Sequence, residues 1–181
     1  HKERPEKILS VLRNFSKIIH GVIEFNEKGF YHRDIKISNI LYDHQDVPRL
    51  IDFGISSTEI ADDIFENIYP IWPFETILLS KSCSDVFSND VYGNYVNNGF
   101  LFPILRYMNI DSLDIKINVA RLKKLDSKSL LKTIYSKIDV YSLGLVFSYF
   151  LMDNEIRLSI NKVQYDKLYL LCQKMINPYT F

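Results

Sequence analysis

The chain is short of the residues that mark several function classes. Its 181 residues include two cysteines, Cys83 and Cys172, far apart and in no C-x-x-C pair. That excludes a cysteine zinc site and a disulfide framework, and it suits reduced thiols inside a cell. The six glycines, at 21, 29, 54, 93, 99 and 144, form no G-x-G-x-x-G. Neither sign of charge dominates, since 22 Lys and Arg face 22 Asp and Glu. A formal net charge of zero argues against a broad electrostatic grip on nucleic acid or anionic membrane. No apolar run approaches the ~20 residues needed to cross a bilayer, and no signal peptide is visible. The expectation is an intracellular, cytoplasmic chain that binds neither nucleic acid nor membrane. Nothing in the sequence specifies an oligomeric state.

What is present is enough for a core. Hydrophobic residues make up 47% of the chain and aromatic residues 14%, a composition that folds as one domain. In residues 6–26, Ile8, Leu12, Phe15, Ile19 and Val22 recur at three- and four-residue spacing and predict an amphipathic helix. Pro5 suits its first turn and Gly29 its left-handed cap. Two short apolar runs, 40–42 and 49–51, flank the polar stretch 43–46 and predict a hairpin. Residues 54–69 and 91–102 show no sustained period and read as loops, and 126–135 reads as a short helix. Residues 139–151 are almost continuously apolar, as expected of a helix buried at the centre of a domain. A last amphipathic helix is expected over about 160–175, with Val163, Leu168, Leu171, Cys172 and Met175 on one side, stopped by Asn177-Pro178.

The chemistry concentrates between the first helix and the hairpin. His32-Arg33-Asp34-Ile35-Lys36-Ile37-Ser38-Asn39 packs ionic and amide side chains into eight residues, and Asp52-Phe53-Gly54 follows the hairpin directly. Two carboxylates, an amide and an ammonium thus meet at one end of a small sheet. Phosphoryl transfer needs such a set, because it rests on in-line positioning and charge stabilisation more than on covalent help. Asp52 and the Asn39 amide oxygen are hard ligands for Mg²⁺. Lys36 offers a point charge to a phosphate oxygen, and Asp34 can accept the proton of a hydroxyl nucleophile. Gly54 would let the chain turn sharply after a metal ligand.

These residues resemble the eukaryotic-type protein kinase family, whose catalytic loop is H-R-D-x-x-x-x-N and whose metal motif is D-F-G. Lys36, two residues after Asp34, resembles the Ser/Thr-specific pattern. Asp139-Val140-Tyr141-Ser142-Leu143-Gly144 resembles the family's D-x-x-S-x-G, and Met175-Ile176-Asn177-Pro178 the segment before the lobe's last helix. The resemblance implies a mainly α fold with a small antiparallel β-hairpin, the kinase C-lobe, spanning residues 1–181 with the N-lobe absent. It implies Asp34 as catalytic base, Lys36 as γ-phosphate contact, and Asn39 and Asp52 as ATP-site Mg²⁺ ligands. Arg33 would meet a phosphorylated activation loop, for which Ser56, Ser57 and Thr58 are candidate phosphosites. His32 and Phe53 would couple the loop to the core, and Asp139 would hold the loop backbone. The implied reaction moves the γ-phosphate of Mg-ATP to a protein substrate.

The pattern is also broken. No strand lysine precedes the first helix, so this chain alone is expected to bind Mg-ATP very weakly and to transfer phosphate at no useful rate. Pro73-Phe74-Glu75 resembles the family's A-P-E, yet Phe181 stands where the arginine partner of Glu75 belongs. Glu75 would then be a buried carboxylate without its partner, which is costly. Ile68 stands where the substrate-facing loop usually carries a hydroxyl. Residues about 80–129 form an insertion, and the tryptophan-proline segment with such an insertion resembles the divergent kinases of large DNA viruses. Two other readings remain open: a small-molecule phosphotransferase of the same superfamily, and a non-catalytic kinase-lobe binding module.

Overall fold

A computed structural model of the chain describes residues 3–58, 69–79 and 89–177. The sequence expectations at 59–68, Cys83, Pro178 and Phe181 fall outside them. The architecture is mostly helical with one two-stranded antiparallel sheet.

Helix α1 runs Glu3–Glu27 and takes Pro5 within its first turn, where a missing N–H costs nothing. Phe15, Ile18 and Val22 are buried along its inner face. Its end is a left-handed cap: Gly29 has φ 73°, and the Phe30 N–H reaches back to the Phe25 carbonyl at 2.8 Å.

A single 3₁₀ turn, Ile37–Asn39, leads into β1 (Ile40–Tyr42), which pairs with β2 (Pro48–Leu50) in the register Ile40–Leu50. The second strand therefore starts and ends one residue earlier than its apolar run. The Asp43 carboxylate sets the turn, accepting from the N–H groups of Gln45 and Val47 at 2.9 Å each. Beyond β2, Tyr31 and Ser57 exchange backbone hydrogen bonds, so the segments before and after the hairpin are stitched together.

After a six-residue 3₁₀ helix at Phe74–Leu79 come α2 (Asn89–Val96), α3 (Leu101–Tyr107) and α4 (Ser112–Leu122). This corrects the loop expected over 91–102. Tyr92 and Tyr95 are buried on either side of Asn94, and that three-residue spacing is helical, while Asn97 and Asn98 fall in the turn between α2 and α3.

Helix α5 is one continuous element, Ser127–Leu151, not the separate helices expected at 126–135 and 139–151. Asp126 caps it, accepting from the N–H groups of Lys128 and Ser129. Its second half is the centre of the core. Phe147 packs against Phe15 of α1, and the other side meets α7 (Lys162–Ile176), which follows the short α6 (Asn154–Ser159). The α7 stripe also needs correction: Val163 and Leu171 are exposed, and Cys172, Met175 and Ile176 are the buried set.

Gly144 explains the closeness of α5 and α7. A Cβ there would stand 2.7 Å from Met175 Cβ and 2.8 Å from Ile176 Cγ2. These are atoms near the α7 backbone that cannot swing aside. Gly144→Ala should therefore push the helices apart and cost about 1–3 kcal/mol, despite alanine's better helix propensity. A urea midpoint unchanged or raised in this variant would show the contact to be slack.

Candidate functional site

The loop 31–36 is held open from below. The Asp139 carboxylate of α5, 1% exposed, accepts from the backbone N–H groups of His32 and Arg33 at 2.7 Å each. The Asn26 amide, turned to donate, reaches the same carboxylate at 3.2 Å. From the side, the Trp72 indole N–H donates to the Arg33 carbonyl at 2.6 Å. These bonds hold Arg33 at φ 65°, a conformation that costs a non-glycine residue about 1–2 kcal/mol. Burial pushes the Asp139 carboxyl pKa up, and the N–H groups of Arg33 and His32 pull against it.

His32 is fully buried and bridges the Asp34 loop and the residue that follows β2. Its Nδ1 accepts from the Asp34 N–H, and its Nε2 meets the Ile51 carbonyl at 3.1 Å. That pairing places the ring proton on Nε2. The Phe53 ring lies 4.6 Å from the imidazole and also touches Phe25 and Phe30, although Phe53 is 45% exposed.

Asp34 is the hub. Its Oδ2 accepts from Lys36 Nζ at 2.8 Å and from Asn39 Nδ2 at 2.8 Å. Asn39 also donates to the Asp34 carbonyl at 3.0 Å. The bond to Asp34 raises the Lys36 pKa against a smaller loss from burial, so the ammonium stays charged. Asp52 lies two residues past β2, whose next residue, Ile51, donates its N–H to the Asn39 carbonyl. Asp52 and Asn39 therefore sit at the same end of the hairpin. Asp52 is exposed, and its own φ is 63°. The chain turns at Gly54 as expected, with the left-handed conformation taken by Asp52 and the Gly54 N–H pointing at Asp52 Oδ1.

Arg33 is 5% exposed. One guanidinium nitrogen donates to the Tyr135 hydroxyl at 3.4 Å, and its buried Nε has no partner among the described residues. Of the candidate phosphosites, Ser56 donates to the His32 carbonyl, Ser57 sits in the bridge to Tyr31, and Thr58 is exposed.

Three further residues escaped the motif reading. The Tyr69 hydroxyl donates to Asp34 Oδ1 at 3.3 Å and accepts from Lys36 Nζ at 3.3 Å. A hydroxyl is therefore present beside Asp34 even though Ile68 occupies the usual position; the longer tyrosine reaches it from one residue on. Glu75, 2% exposed, is not left without a partner. Its Oε1 accepts from Lys137 Nζ at 3.1 Å and from the Asn118 amide. The expected cost of an isolated buried carboxylate is corrected by a lysine from α5 and an asparagine from α4.

Among the described residues no group of three or more His, Cys, Asp and Glu could hold a metal by itself, and no helix is long and apolar enough to cross a membrane.

The model of the family described as protein kinase domain matches residues 6–67. The chain is similar to the probable serine/threonine-protein kinase samkC of Dictyostelium discoideum, 36% identical over 64 residues, covering 34% of this chain and 7% of that protein. It is similar to a probable serine/threonine-protein kinase, the KIN1 homolog of Enterocytozoon bieneusi, 46% identical over 50 residues, or 28% and 8% of the two chains. Mitogen-activated protein kinase kinase kinase 1 of Arabidopsis thaliana is 42% identical over 48 residues, or 26% and 8%. These matches span less than a tenth of each relative's length. No solved structure matches the chain.

Proposed function

We propose, from the match of residues 6–67 to the protein kinase domain model, that the chain is the C-lobe of a Ser/Thr protein kinase with an insertion at about 80–129. It would move the γ-phosphate of Mg-ATP to hydroxyls of a protein substrate. The observation that carries the reading is the shared Asp34 carboxylate, with Lys36 and Asn39 on one oxygen and a hydroxyl at the other.

The division of labour follows from that geometry. Oδ2 is occupied by two N–H donors, so Oδ1 is the oxygen that takes the acceptor proton. Asn39 Nδ2 is committed to Asp34, which leaves Asn39 Oδ1 as its donor atom toward a metal. With the exposed Asp52 carboxylate it forms a hard-oxygen pair. That fits Mg²⁺, which takes one or two protein oxygens plus phosphates and not an all-protein cage. Mg-ATP would supply the transferred group and neutralise its charge. Lys36, kept charged by Asp34, stands ready for a phosphate oxygen. Arg33 Nε, buried and without a partner among the described residues, suits a phosphate carried by one of the candidate hydroxyls Ser56, Ser57 or Thr58. The named relatives are protein kinases, which favours a protein acceptor over a small molecule.

In the polypeptide that carries these residues, Asp34→Asn should lower kcat about 10²–10⁴-fold with little change in the KM for ATP. The measurement is incorporation of γ-labelled phosphate into a Ser/Thr peptide library. Undiminished incorporation in that variant would sink the reading.

A further inference from the structure

The residues that resemble the end of an activation segment, 69–79, are held from two sides: by the Asp34 loop and α5, whose Ser142 hydroxyl donates to the Ile71 carbonyl at 2.6 Å, and by the insertion. Trp72 is the anchor point: its N–H is bonded to Arg33, and its carbonyl accepts from the Tyr95 hydroxyl of α2 at 2.8 Å. That hydroxyl is shared with Tyr141 of α5 at 2.8 Å. The Phe74 ring packs edge-on against Tyr92 at 5.0 Å and tilted against Tyr95 at 4.9 Å. Tyr92 in turn donates to the Ser112 carbonyl, which joins α2 to the start of α4. From α4, Asn118 donates to Glu75.

Asn118 is the most telling of these. It is 1% exposed, and its Oδ1 has no partner among the described residues. An unsatisfied buried oxygen is a cost that a leucine at this place would not carry. What the asparagine does that a leucine cannot is hold the Glu75 carboxylate. Tyr95 makes the same point, since a phenylalanine would fill its site without binding the Trp72 carbonyl.

We infer that α2–α4 form an internal brace, in which Tyr95 and Asn118 are positioning residues that set segment 70–76 against the Asp34 loop. The inference rests on the proposed kinase reading for its consequence. If segment 69–76 faces the acceptor polypeptide, the brace governs acceptor binding and leaves the nucleotide side alone. Tyr95 acts through Trp72, and Asn118 acts through Glu75.

Trp72 is the chain's single tryptophan, so its fluorescence reports the segment directly. Tyr95→Phe keeps the ring and removes the hydroxyl; Asn118→Leu fills the site and removes the donor. With far-UV circular dichroism unchanged, each variant should shift Trp72 emission to the red and increase its quenching by acrylamide. In the polypeptide that carries these residues, each should raise the KM for a peptide acceptor about 3- to 10-fold, the worth of one hydrogen bond, with the KM for ATP unchanged. Trp72 emission identical to wild type in both folded variants would overturn the brace. A rise in the KM for ATP equal to that for the acceptor would overturn the positioning role. A Trp72 shift in a protein whose wild type transfers no phosphate would leave the brace standing and remove the kinase reading instead.

Discussion

Lys137→Met should destabilise the protein by about 3–5 kcal/mol, the cost of stripping one partner from a buried ion pair. Both residues of the pair are 2% exposed, and Lys137 Nζ lies 3.1 Å from Glu75 Oε1. Water therefore cannot take over when the ammonium is gone. Methionine keeps the volume of the lysine stem, so packing is nearly conserved and the loss isolates charge. Glu75 would retain the Asn118 amide, but a neutral donor does not offset a full charge in a dry site. Burial pushes the Lys137 pKa down, and Glu75 pulls it back up. The double variant Glu75→Leu with Lys137→Met should recover most of the loss or exceed wild-type stability, because it removes both desolvation penalties. Urea unfolding of the four proteins in this cycle measures the coupling. A single-variant cost under about 1 kcal/mol would mean a solvated pair of the surface type.

That ion pair also marks where the sequence stops being readable. Lys137 is visible as a residue two places before Asp139, and Glu75 as the last of a three-residue motif. Nothing in their spacing joins them, because 62 residues separate them and the contact depends on how α5 meets the 3₁₀ helix. Helices α1 and α7 and the hairpin were legible because period and turn chemistry are local. Helices α2–α4 were hidden for a local reason of the opposite kind. The buried face of α2 is Tyr92 and Tyr95 around Asn94, which reads as loop, while α3 and α4 bury the aliphatic Leu101, Ile104, Leu105, Ile115, Val119 and Leu122 in helices of seven and eleven residues, too short to show a sustained period. The start of α5 was read as a separate element because Lys128, Lys132 and Ser136 are polar and exposed, although the Asp126 cap begins a helix that runs unbroken to Leu151. At the candidate site, the motif residues could be named from order alone. Tyr69 could not, since its hydroxyl reaches Asp34 from a position one residue later than the pattern allows.

The second large effect concerns Asp139, whose replacement by alanine should cost about 2–5 kcal/mol, as two buried N–H groups lose their acceptor at ~1–3 kcal/mol each. Those N–H groups belong to His32 and Arg33, and with them goes the restraint on the left-handed Arg33. Once Arg33 relaxes toward negative φ, its carbonyl turns away from the Trp72 indole. The same variant should therefore move Trp72 emission to the red before global unfolding begins. Asp139→Asn tests the account more finely. It keeps one acceptor oxygen but turns an NH₂ toward the second N–H, so it should lose about half as much, ~1–2 kcal/mol. The two variants should rank Asn above Ala in both urea midpoint and Trp72 emission. An Asn variant as damaged as the Ala variant would indicate that the charge of Asp139, and not its two acceptor oxygens, holds the loop.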